Sequence, residues 1–416
     1  MVVKCTFQFI QFLNLFRCKP LFLLVFSTFF YCIGLLHSVL RAISTAYKKQ
    51  KLKIEEVNFI SSYYSQDGNN SAVTGGVGTE KLTDIATTLD IKVSRYNKNQ
   101  HKQTYGFELG VDSYSSASSD NIDPSTVTGA SYQDIRVYPS LNYTVENEAK
   151  GQIFSTGISA SAEFDYFSLG GNIGFTKLSK DKNRELSVKA MAFFDTWKVI
   201  LPIELRNNPD PNYKQGDSKP RTSYNLGLTF SQIVNKNFQM AFLVDAGYQQ
   251  GLLATKFNRV YFDNASVKSE NLPDTRFKLP IGMRTSYFLG DNIILRGFYR
   301  YYFDNWDIKS HTFSFEPTIK LSAFSSLSIP YRYYMQNSAK YFKPIFQHQT
   351  AEEFFTSDYD LSAFSSNMIG LGYKITDSNK GLFKAKHFNS LELRYGYYHR
   401  NNGLASHILT LAMKFK

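Results

Sequence analysis

The residues that could form a hydrolytic site lie close to the carboxyl end of the chain. Residues 399–403 are His-Arg-Asn-Asn-Gly, and Ser406 and His407 follow shortly after. Acyl transfer needs a nucleophilic hydroxyl or thiol within reach of a base, and Asn401, two positions after the histidine, cannot supply one. Asn-Asn-Gly is also an ordinary hairpin sequence. We therefore expect a turn here, with a hydrolase site as the alternative, and no enzymatic activity.

Oxygen-bearing side chains also begin a calcium-like spacing at residues 67–71, Asp-Gly-Asn-Asn-Ser. The sixth position of that pattern is Ala72 where a glycine is needed, and the twelfth is Gly78 where a glutamate is needed. Turn-forming residues explain the segment without an ion. The seven histidines are scattered without metal-ligand spacing. We expect a surface loop, with a cation site as the alternative, and neither a metal nor a cofactor.

The composition indicates alternating strands. Aromatic residues make up 16% of the 416 residues, yet the mean hydropathy is only -0.29. A chain this aromatic and this hydrophilic suits half-buried strands better than a lipid-buried helix bundle. The formal net charge is +12, without a concentrated basic patch, so we expect no nucleic-acid partner.

The amino-terminal segment differs from the rest of the chain. It contains all three cysteines (Cys5, Cys18 and Cys32), so the remainder can form neither disulfides nor thiolate metal sites. Residues 21–40 form an uncharged run, and Ser-Thr-Ala at 44–46 offers a cleavage site before Tyr47. We expect residues 1–46 to be a signal peptide or a retained hydrophobic leader, and residues 47–416 to be the mature domain.

After this leader the chain alternates apolar and polar residues. In the terminal segment, residues 404–416, Leu409, Leu411 and Met413 alternate with polar or small residues. Many segments keep this period for 9 to 15 residues, the length that a tilted membrane strand requires. Sixteen such segments are predicted, at 51–64, 84–93, 105–112, 135–145, 154–166, 169–175, 186–194, 224–230, 240–248, 277–287, 293–303, 313–321, 327–335, 369–375, 391–397 and 404–416.

The connections between these segments alternate between short and long, as they do in bacterial outer-membrane barrels. The exceptions are 167–168, 305–309 and 399–403, which are too short, and 374–386, which is too long. The pattern predicts an all-β transmembrane antiparallel barrel of 16 strands, or 14, with both termini in the periplasm. A soluble sandwich or propeller is the alternative. Four prolines lie inside predicted strands, where only local bulges would accommodate them: Pro139, Pro280, Pro317 and Pro330.

Two loop segments carry a resemblance to a known family. Residues 61–84 (SSYYSQDGNNSAVTGGVGTEKLTD) and 115–131 (SSASSDNIDPSTVTGAS) are similar to those of a Bacteroidota outer-membrane barrel family with a domain of unknown function. The resemblance extends over about residues 51–416 and implies a barrel in the outer membrane of a Gram-negative bacterium. It implies no activity.

The alternation also predicts which charges point into the lumen. The basic residues are Lys278, Arg284, Arg296, Arg300 and Arg332, and the acidic residues are Glu108, Asp112, Glu163, Asp165, Asp195 and Asp245. Opposed basic and acidic walls would produce a transverse field in a polar channel. Alternatively, the charges pair across the lumen, with Glu316 among the acidic partners.

Three functions are open at this point. A pore or transporter for small polar solutes, with anions favoured by the arginines, is preferred, since about sixteen strands leave room for an aqueous channel. A surface-interaction or assembly barrel with a filled lumen is the second, and a membrane enzyme the third. Lipid and the barrel-assembly machinery, through residues 404–416, are the expected partners. The oligomeric state is open.

Overall fold

The alternating segments form one antiparallel sheet that closes on itself. The computed structural model describes residues 51–115, 133–206, 217–377 and 380–416. Its strands are β1 (Lys53–Asp67), β2 (Leu82–Tyr96), β3 (Lys102–Ser115), β4 (Gln133–Asn147), β5 (Gln152–Ala162), β6 (Tyr166–Leu178), β7 (Arg184–Lys198), β8 (Ser218–Asn235), β9 (Phe238–Gly251), β10 (Arg259–Tyr261), β11 (Val267–Ser269), β12 (Thr275–Leu289), β13 (Ile293–Asp304), β14 (Lys309–Lys320), β15 (Ser325–Ser328), β16 (Tyr331–Gln336), β17 (Phe364–Thr376), β18 (Phe388–Arg400) and β19 (Ala405–Phe415). β1 pairs with both β2 and β19, which closes the sheet.

The barrel has sixteen strand positions, as predicted. β15 and β16 both pair with β14 and β17, so they are two halves of one interrupted strand. β10 and β11 form a separate hairpin in the connection between β9 and β12. In the described part of the chain, four 3-10 helices lie in connections: Ala72–Thr74, Ile203–Leu205, Tyr359–Leu361 and Leu382–Lys384. Among the described residues, no helix is long and apolar enough to cross a membrane.

The two faces of the sheet differ as the alternation requires. Apolar side chains such as Ile158, Leu228, Ile281 and Leu393 are exposed on the outer face. Leu89 lies on that face as well, because it is an even number of residues from the exposed Ile85 in β2. Phe107 is outward too, because it pairs with Ile91 of the same face. The inner face carries most of the charged side chains. Successive strand residues point to opposite faces, so one apolar outer face fixes a polar inner one.

The prolines are accommodated by one-sided gaps in the ladder and not by bulges. Pro280 lies where the β9–β12 pairing is interrupted, yet the pairs on either side, Lys278–Gly247 and Ile281–Val244, keep one register. The β4–β5 ladder has the same gap around Pro139. Pro317, in β14, is paired with Leu295 of β13 and faces the gap between β15 and β16, where Pro330 lies. The Pro330 carbonyl still accepts from the Gly370 N–H of β17 over 2.9 Å. A proline lacks one N–H, so it breaks pairing with one neighbour only.

Connection lengths separate the two ends of the barrel. Of the described residues, the long-connection end carries 68–81, 199–206, 252–274 and 337–363, while most connections at the other end span two to five residues. The short connections 305–308 and 401–404 and the longer 377–387 lie close to the predicted exceptions at 305–309, 399–403 and 374–386. The exception predicted at 167–168 was misplaced, because those residues lie inside β6 and the short connection is 163–165. The described chain ends lie at the short-connection end, where the Lys416 N–H donates to the His387 carbonyl over 2.8 Å.

Candidate functional site

All five predicted basic residues lie on the inner face of one wall. Lys278 and Arg284 are on β12, Arg296 and Arg300 on β13, and Arg332 on β16. The four arginines are exposed although they point into a closed sheet, and Lys278 is half-buried. An inward side chain can be exposed only where it borders open space. The interior therefore holds solvent-accessible volume at the height of these arginines.

The arginines differ in their partners. Arg296 forms an ion pair with Glu316 over 3.1 Å and donates to the Thr318 hydroxyl over 2.9 Å. Glu316 also pairs with Arg394 over 3.2 Å. Within the described part of the chain, Arg284, Arg300 and Arg332 form no ion pair. The predicted neutralisation by Glu316 thus applies to Arg296 alone.

Four of the predicted acidic residues lie on the inner face. Glu108 and Asp112 are on β3, Asp195 on β7 and Asp245 on β9. Asp195 is buried and pairs with Arg221 over 2.7 Å, whereas Asp245 is exposed. Asp112 accepts a hydrogen bond from the Tyr138 hydroxyl over 2.9 Å. Of these four carboxylates, only Asp195 has an ion-pair partner among the described residues.

The placement of Glu163 and Asp165 inside a strand was wrong. β5 ends at Ala162 and β6 begins at Tyr166, so both side chains lie in the three-residue connection between these strands. The predicted strand ran too far because the alternation continues through the turn. Glu163 accepts from the Tyr114 hydroxyl over 2.6 Å. With Asp134, the two carboxylates form a group whose oxygens lie within 4.8 Å of one another.

The strand order places the acidic and basic walls opposite each other. Counting around the closed sheet, β3 occupies the third position and β13 the eleventh, which is halfway round a ring of sixteen. Glu108 and Asp112 therefore lie across the barrel from Arg296 and Arg300. Opposite charges on facing walls set up an electric field across the barrel interior.

The long connections meet over one opening of the barrel. We use the name mouth cap for residues 68–81, 199–206, 252–274 and 337–363. Arg259, between β9 and β12, donates to the Val73 carbonyl, between β1 and β2, over 2.8 Å. The same guanidinium pairs with Glu204, between β7 and β8. The β1–β2 and β9–β12 connections are eight positions apart, so they reach each other only by crossing the opening.

The span that these loops cross is large. Sixteen strands spaced about 4.8 Å apart and tilted by about 40° give a backbone diameter of about 30 Å. The mouth cap has its own apolar core, in which Val260, Phe262 and Phe355 are almost completely buried. His348 is also fully buried, and its ring nitrogens face the Glu352 carboxylate at 2.7 Å and the Thr356 carbonyl at 2.9 Å. Such a core makes the crossing loops a packed unit.

Inner-wall side chains anchor the mouth cap to the barrel. Gln336, at the end of β16, donates to the carbonyls of Asp360 and Ser362 over 3.0 and 2.6 Å. Arg400, at the end of β18, forms an ion pair with the Asp360 carboxylate and stacks over the Phe364 ring at 4.5 Å. The connection 337–363 therefore lies inside the rim.

Carboxyl groups from three connections converge within the mouth cap. Burial and the Asp360 carboxylate raise the pKa of Glu80 to about 7, although the Arg400 guanidinium opposes the shift. Burial, followed by the charge of Asp360, likewise raises the pKa of Asp358. Burial also raises the pKa of Glu270, whose oxygens accept from the Thr356 hydroxyl and the Thr255 N–H. These carboxyls retain protons at higher pH than exposed ones do.

Sequence reasoning did not predict that the long connections pack together as the mouth cap. The available signal was apolar content in long connections, where Tyr341, Phe342, Phe354 and Phe355 are unusual for solvent-exposed loops. The structure explains it, since Tyr341 packs against Trp306 and Phe355 packs against Phe262. Local spacing in the sequence does not predict which distant loops these aromatic residues contact.

The two segments with catalytic or metal-like spacing form turns. Residues 401–404 join β18 to β19, with Gly403 in a left-handed conformation. Ser406 points inward and His407 outward, where it bonds the Tyr395 hydroxyl over 2.7 Å, so the two cannot act together. In the other segment, the Asn70 side chain donates to the Asn402 carbonyl over 2.6 Å.

Comparisons with known proteins give a family. A model for proteins of unknown function, DUF3570, matches residues 103–411, about three quarters of the chain. No curated protein matches. Similar solved structures include OccK1 (OpdK) of Pseudomonas aeruginosa, with 7% identity, TM-score 0.39, and 86% of this chain and 97% of that chain covered. A BenF-like porin from Pseudomonas fluorescens has 8% identity, TM-score 0.42, and coverages of 87% and 98%. A bacterial polysaccharide outer membrane secretin has 10% identity, TM-score 0.41, and coverages of 87% and 98%.

Proposed function

This chain belongs to the DUF3570 family of proteins of unknown function, and we propose that it is an outer-membrane channel for small polar solutes that favours anions. The observation that carries the proposal is the exposure of Arg284, Arg296, Arg300 and Arg332 on the inner face of a closed sheet. A lumen filled by side chains would bury them. A barrel of this strand number is wide enough for an aqueous channel.

A location in a membrane is supported by the outer face. Exposed apolar side chains occur on strands all round the barrel, from Ile85 on β2 to Leu409 on β19. Soluble monomers rarely expose contiguous apolar patches larger than a few hundred Å². Outward aromatics form a row near the long-connection end, including Tyr224, Tyr248 and Phe277. Aromatic rows of this kind mark the two membrane–water interfaces.

The outer membrane of a Gram-negative bacterium is the location that suits such a barrel. Short turns face the periplasm in these proteins, so we place both termini there and the mouth cap outside the cell. The terminal strand β19 would then be the segment that the barrel-assembly machinery recognises. Residues 1–46, the predicted export leader, lie outside the described residues.

The preference for anions follows from the unpaired arginines. Arg284 and Arg300 lie on neighbouring strands, and each faces open space without an ion pair among the described residues, although Asp245 on β9 is close enough to Arg300 to act on its charge. Unneutralised guanidinium groups raise the local concentration of anions and can bind carboxylate or phosphate through two hydrogen bonds. Small carboxylated or phosphorylated solutes are the class that this wall would favour.

Reversal potentials in planar bilayers test this proposal. We expect the purified full-length protein to conduct and, in a salt gradient, to reverse toward the anion equilibrium potential. Arg284→Ala combined with Arg300→Ala should lower the anion-to-cation permeability ratio by about twofold or more, because the double variant lacks two fixed positive charges on the inner wall. Arg300→Lys, which keeps the charge, is the matched control and should retain the preference. A wild type that is cation-selective ends the anion proposal.

The mouth cap favours a second candidate, a surface-interaction or assembly barrel. A packed unit that crosses the opening could serve as a platform for a partner instead of an entrance. The two functions differ in conductance: a barrel of this kind would remain non-conducting in the bilayer at every pH and in every mouth-cap variant.

A further inference from the structure

Three connections of the mouth cap bring four carboxyl groups into one region next to the inner wall. Glu80 comes from the β1–β2 connection, Glu270 from the β9–β12 connection, and Asp358 and Asp360 from the β16–β17 connection. The Thr356 hydroxyl donates to the Glu270 carboxylate and accepts from the Asp358 N–H over 3.0 Å, and the Asp360 N–H donates to the Asp358 carboxylate over 2.9 Å. The charges of the other three carboxyls act on Asp358, and that of Asp360 acts on Glu80. These connections start at separate points on the rim, so repulsion among the carboxylates acts to separate the loops.

The cations in this region are too few to balance four carboxylates. Arg400 pairs with Asp360 and lies near Glu80. Lys256 lies near Glu270 and donates to its backbone carbonyl over 2.9 Å. Among the described residues, no cation forms an ion pair with Glu80, Glu270 or Asp358. Like charges that share a low-dielectric site cannot all ionise, so at least one proton is retained there.

We propose that the mouth cap is a gate of the channel, closed while Glu80 and Asp358 are protonated and loosened when both ionise. The inference rests on the proposed channel function, since a gate needs a passage to control. In the closed position, Arg259 joins opposite sides of the rim and Asp360 joins the mouth cap to the inner wall. Ionisation of the two carboxyls leaves these contacts in place but adds repulsion between the loops that they join.

The direction of the pH dependence follows from the retained protons. A carboxyl whose pKa is raised in the closed position binds its proton more tightly there than in an open, hydrated position. Closure is therefore favoured at low pH and weakened as the pH rises through about 7, the pKa of Glu80. A rise from 4.5 to about 7 changes the ratio of closed to open molecules by at most about two to three orders of magnitude.

Two other carboxylates of the mouth cap stay ionised over this range. His348 is fully buried, with its ring nitrogens facing the Glu352 carboxylate and the Thr356 carbonyl. Although burial opposes it, hydrogen bonds from Lys343 and His348 hold the pKa of Glu352 at about 2, so this carboxylate stays ionised. Glu204 remains paired with Arg259.

The fluorescence emission of Trp306 reports the position of the mouth cap independently of conductance. The chain has two tryptophans, and Trp306 is buried against Ala254 and Leu272 of the β9–β12 connection, with Tyr341 and Leu361 of the β16–β17 connection beside it. In a Trp197→Phe background, lifting of the mouth cap exposes this indole to water and shifts its emission to longer wavelength. We expect that shift between about pH 6 and about pH 8.

The decisive variant replaces the two carboxyls with uncharged amides of the same shape. Glu80→Gln combined with Asp358→Asn should abolish the emission shift between about pH 6 and about pH 8, or raise its midpoint by about one pH unit or more, because the two ionisations that loosen the closed position are gone. Glu353→Gln, an exposed carboxylate on the same connection, is the matched control and should leave the midpoint unchanged. Heat-modifiable migration on gels confirms that each variant is a folded barrel.

Conductance recorded over the same pH range separates this inference from the proposed function. The gate predicts that conductance rises as the emission shifts, with a higher midpoint, or no rise, in the double variant. Conductance without an emission shift, or a midpoint unmoved by the double substitution, refutes the gate and leaves the channel standing. An emission shift in a protein that conducts at no pH refutes the channel, and the gate with it.

Discussion

At the scale of single residues, glycines on the inner face make room for aromatic rings. A Cβ built on Gly110 would lie 1.9 Å from Cε2 of Tyr138, whose hydroxyl donates to Asp112. Gly110→Ala should therefore displace the ring, break that bond and lower the free energy of unfolding by about 1–3 kcal/mol. Urea unfolding in detergent micelles measures the loss. Gly106→Ala is the control, since its Cβ would lie 3.5 Å from Asn142 Cβ, an ordinary contact.

Removal of the Tyr138 ring tests whether contact with this ring is the reason that residue 110 must be glycine. Tyr138→Ala opens the space above Gly110, so Gly110→Ala should cost little in that background. If the two substitutions lower the free energy of unfolding additively, the ring is not what Gly110 accommodates.

The same scale shows how far sequence reasoning extends. Alternation alone placed Arg284, Arg300 and Asp245 on the inner face, because side-chain direction in a strand depends only on parity. It failed at Glu163, since parity continues through a turn and carries no information on where the strand ends. Alternation also could not predict the ion pairs. Glu316 neutralises Arg296 but not Arg300, because cross-strand register places Glu316 beside Arg296.

At the scale of the strand, the outer face should tolerate apolar residues and reject charge. Ile281 lies near the middle of β12 and is exposed on the outer face. Ile281→Arg should lower the free energy of unfolding in lipid by about 2–4 kcal/mol, because a guanidinium near the bilayer midplane loses its hydration. Leu289→Arg, on the same face at the end of the strand, should cost about 0–1 kcal/mol. Equal costs at the two positions would show that the membrane does not cover Ile281.

At the scale of the whole molecule, the closed sheet was predictable and the mouth cap was not. Strand number and connection lengths follow from a local period, and sixteen strands were found, with three of the four exceptions close to their predicted positions. The mouth cap depends on contacts such as Arg259 with Val73, residues far apart in sequence, and local spacing does not encode such a meeting. Only the apolar residues of the long connections indicated that these loops pack.

The opposed walls give the last prediction, which also belongs to the whole molecule. Glu108 and Asp112 on β3 lie across the barrel from Arg296 and Arg300 on β13. The acidic wall attracts cations and so reduces the preference for anions that the arginines create. Glu108→Gln combined with Asp112→Asn should therefore raise the anion-to-cation permeability ratio by about twofold or more. Reversal potentials in a salt gradient measure the ratio, and Asp291→Asn in a short connection is the control for net charge. An unchanged or lowered ratio would mean that permeating ions do not pass between these two walls.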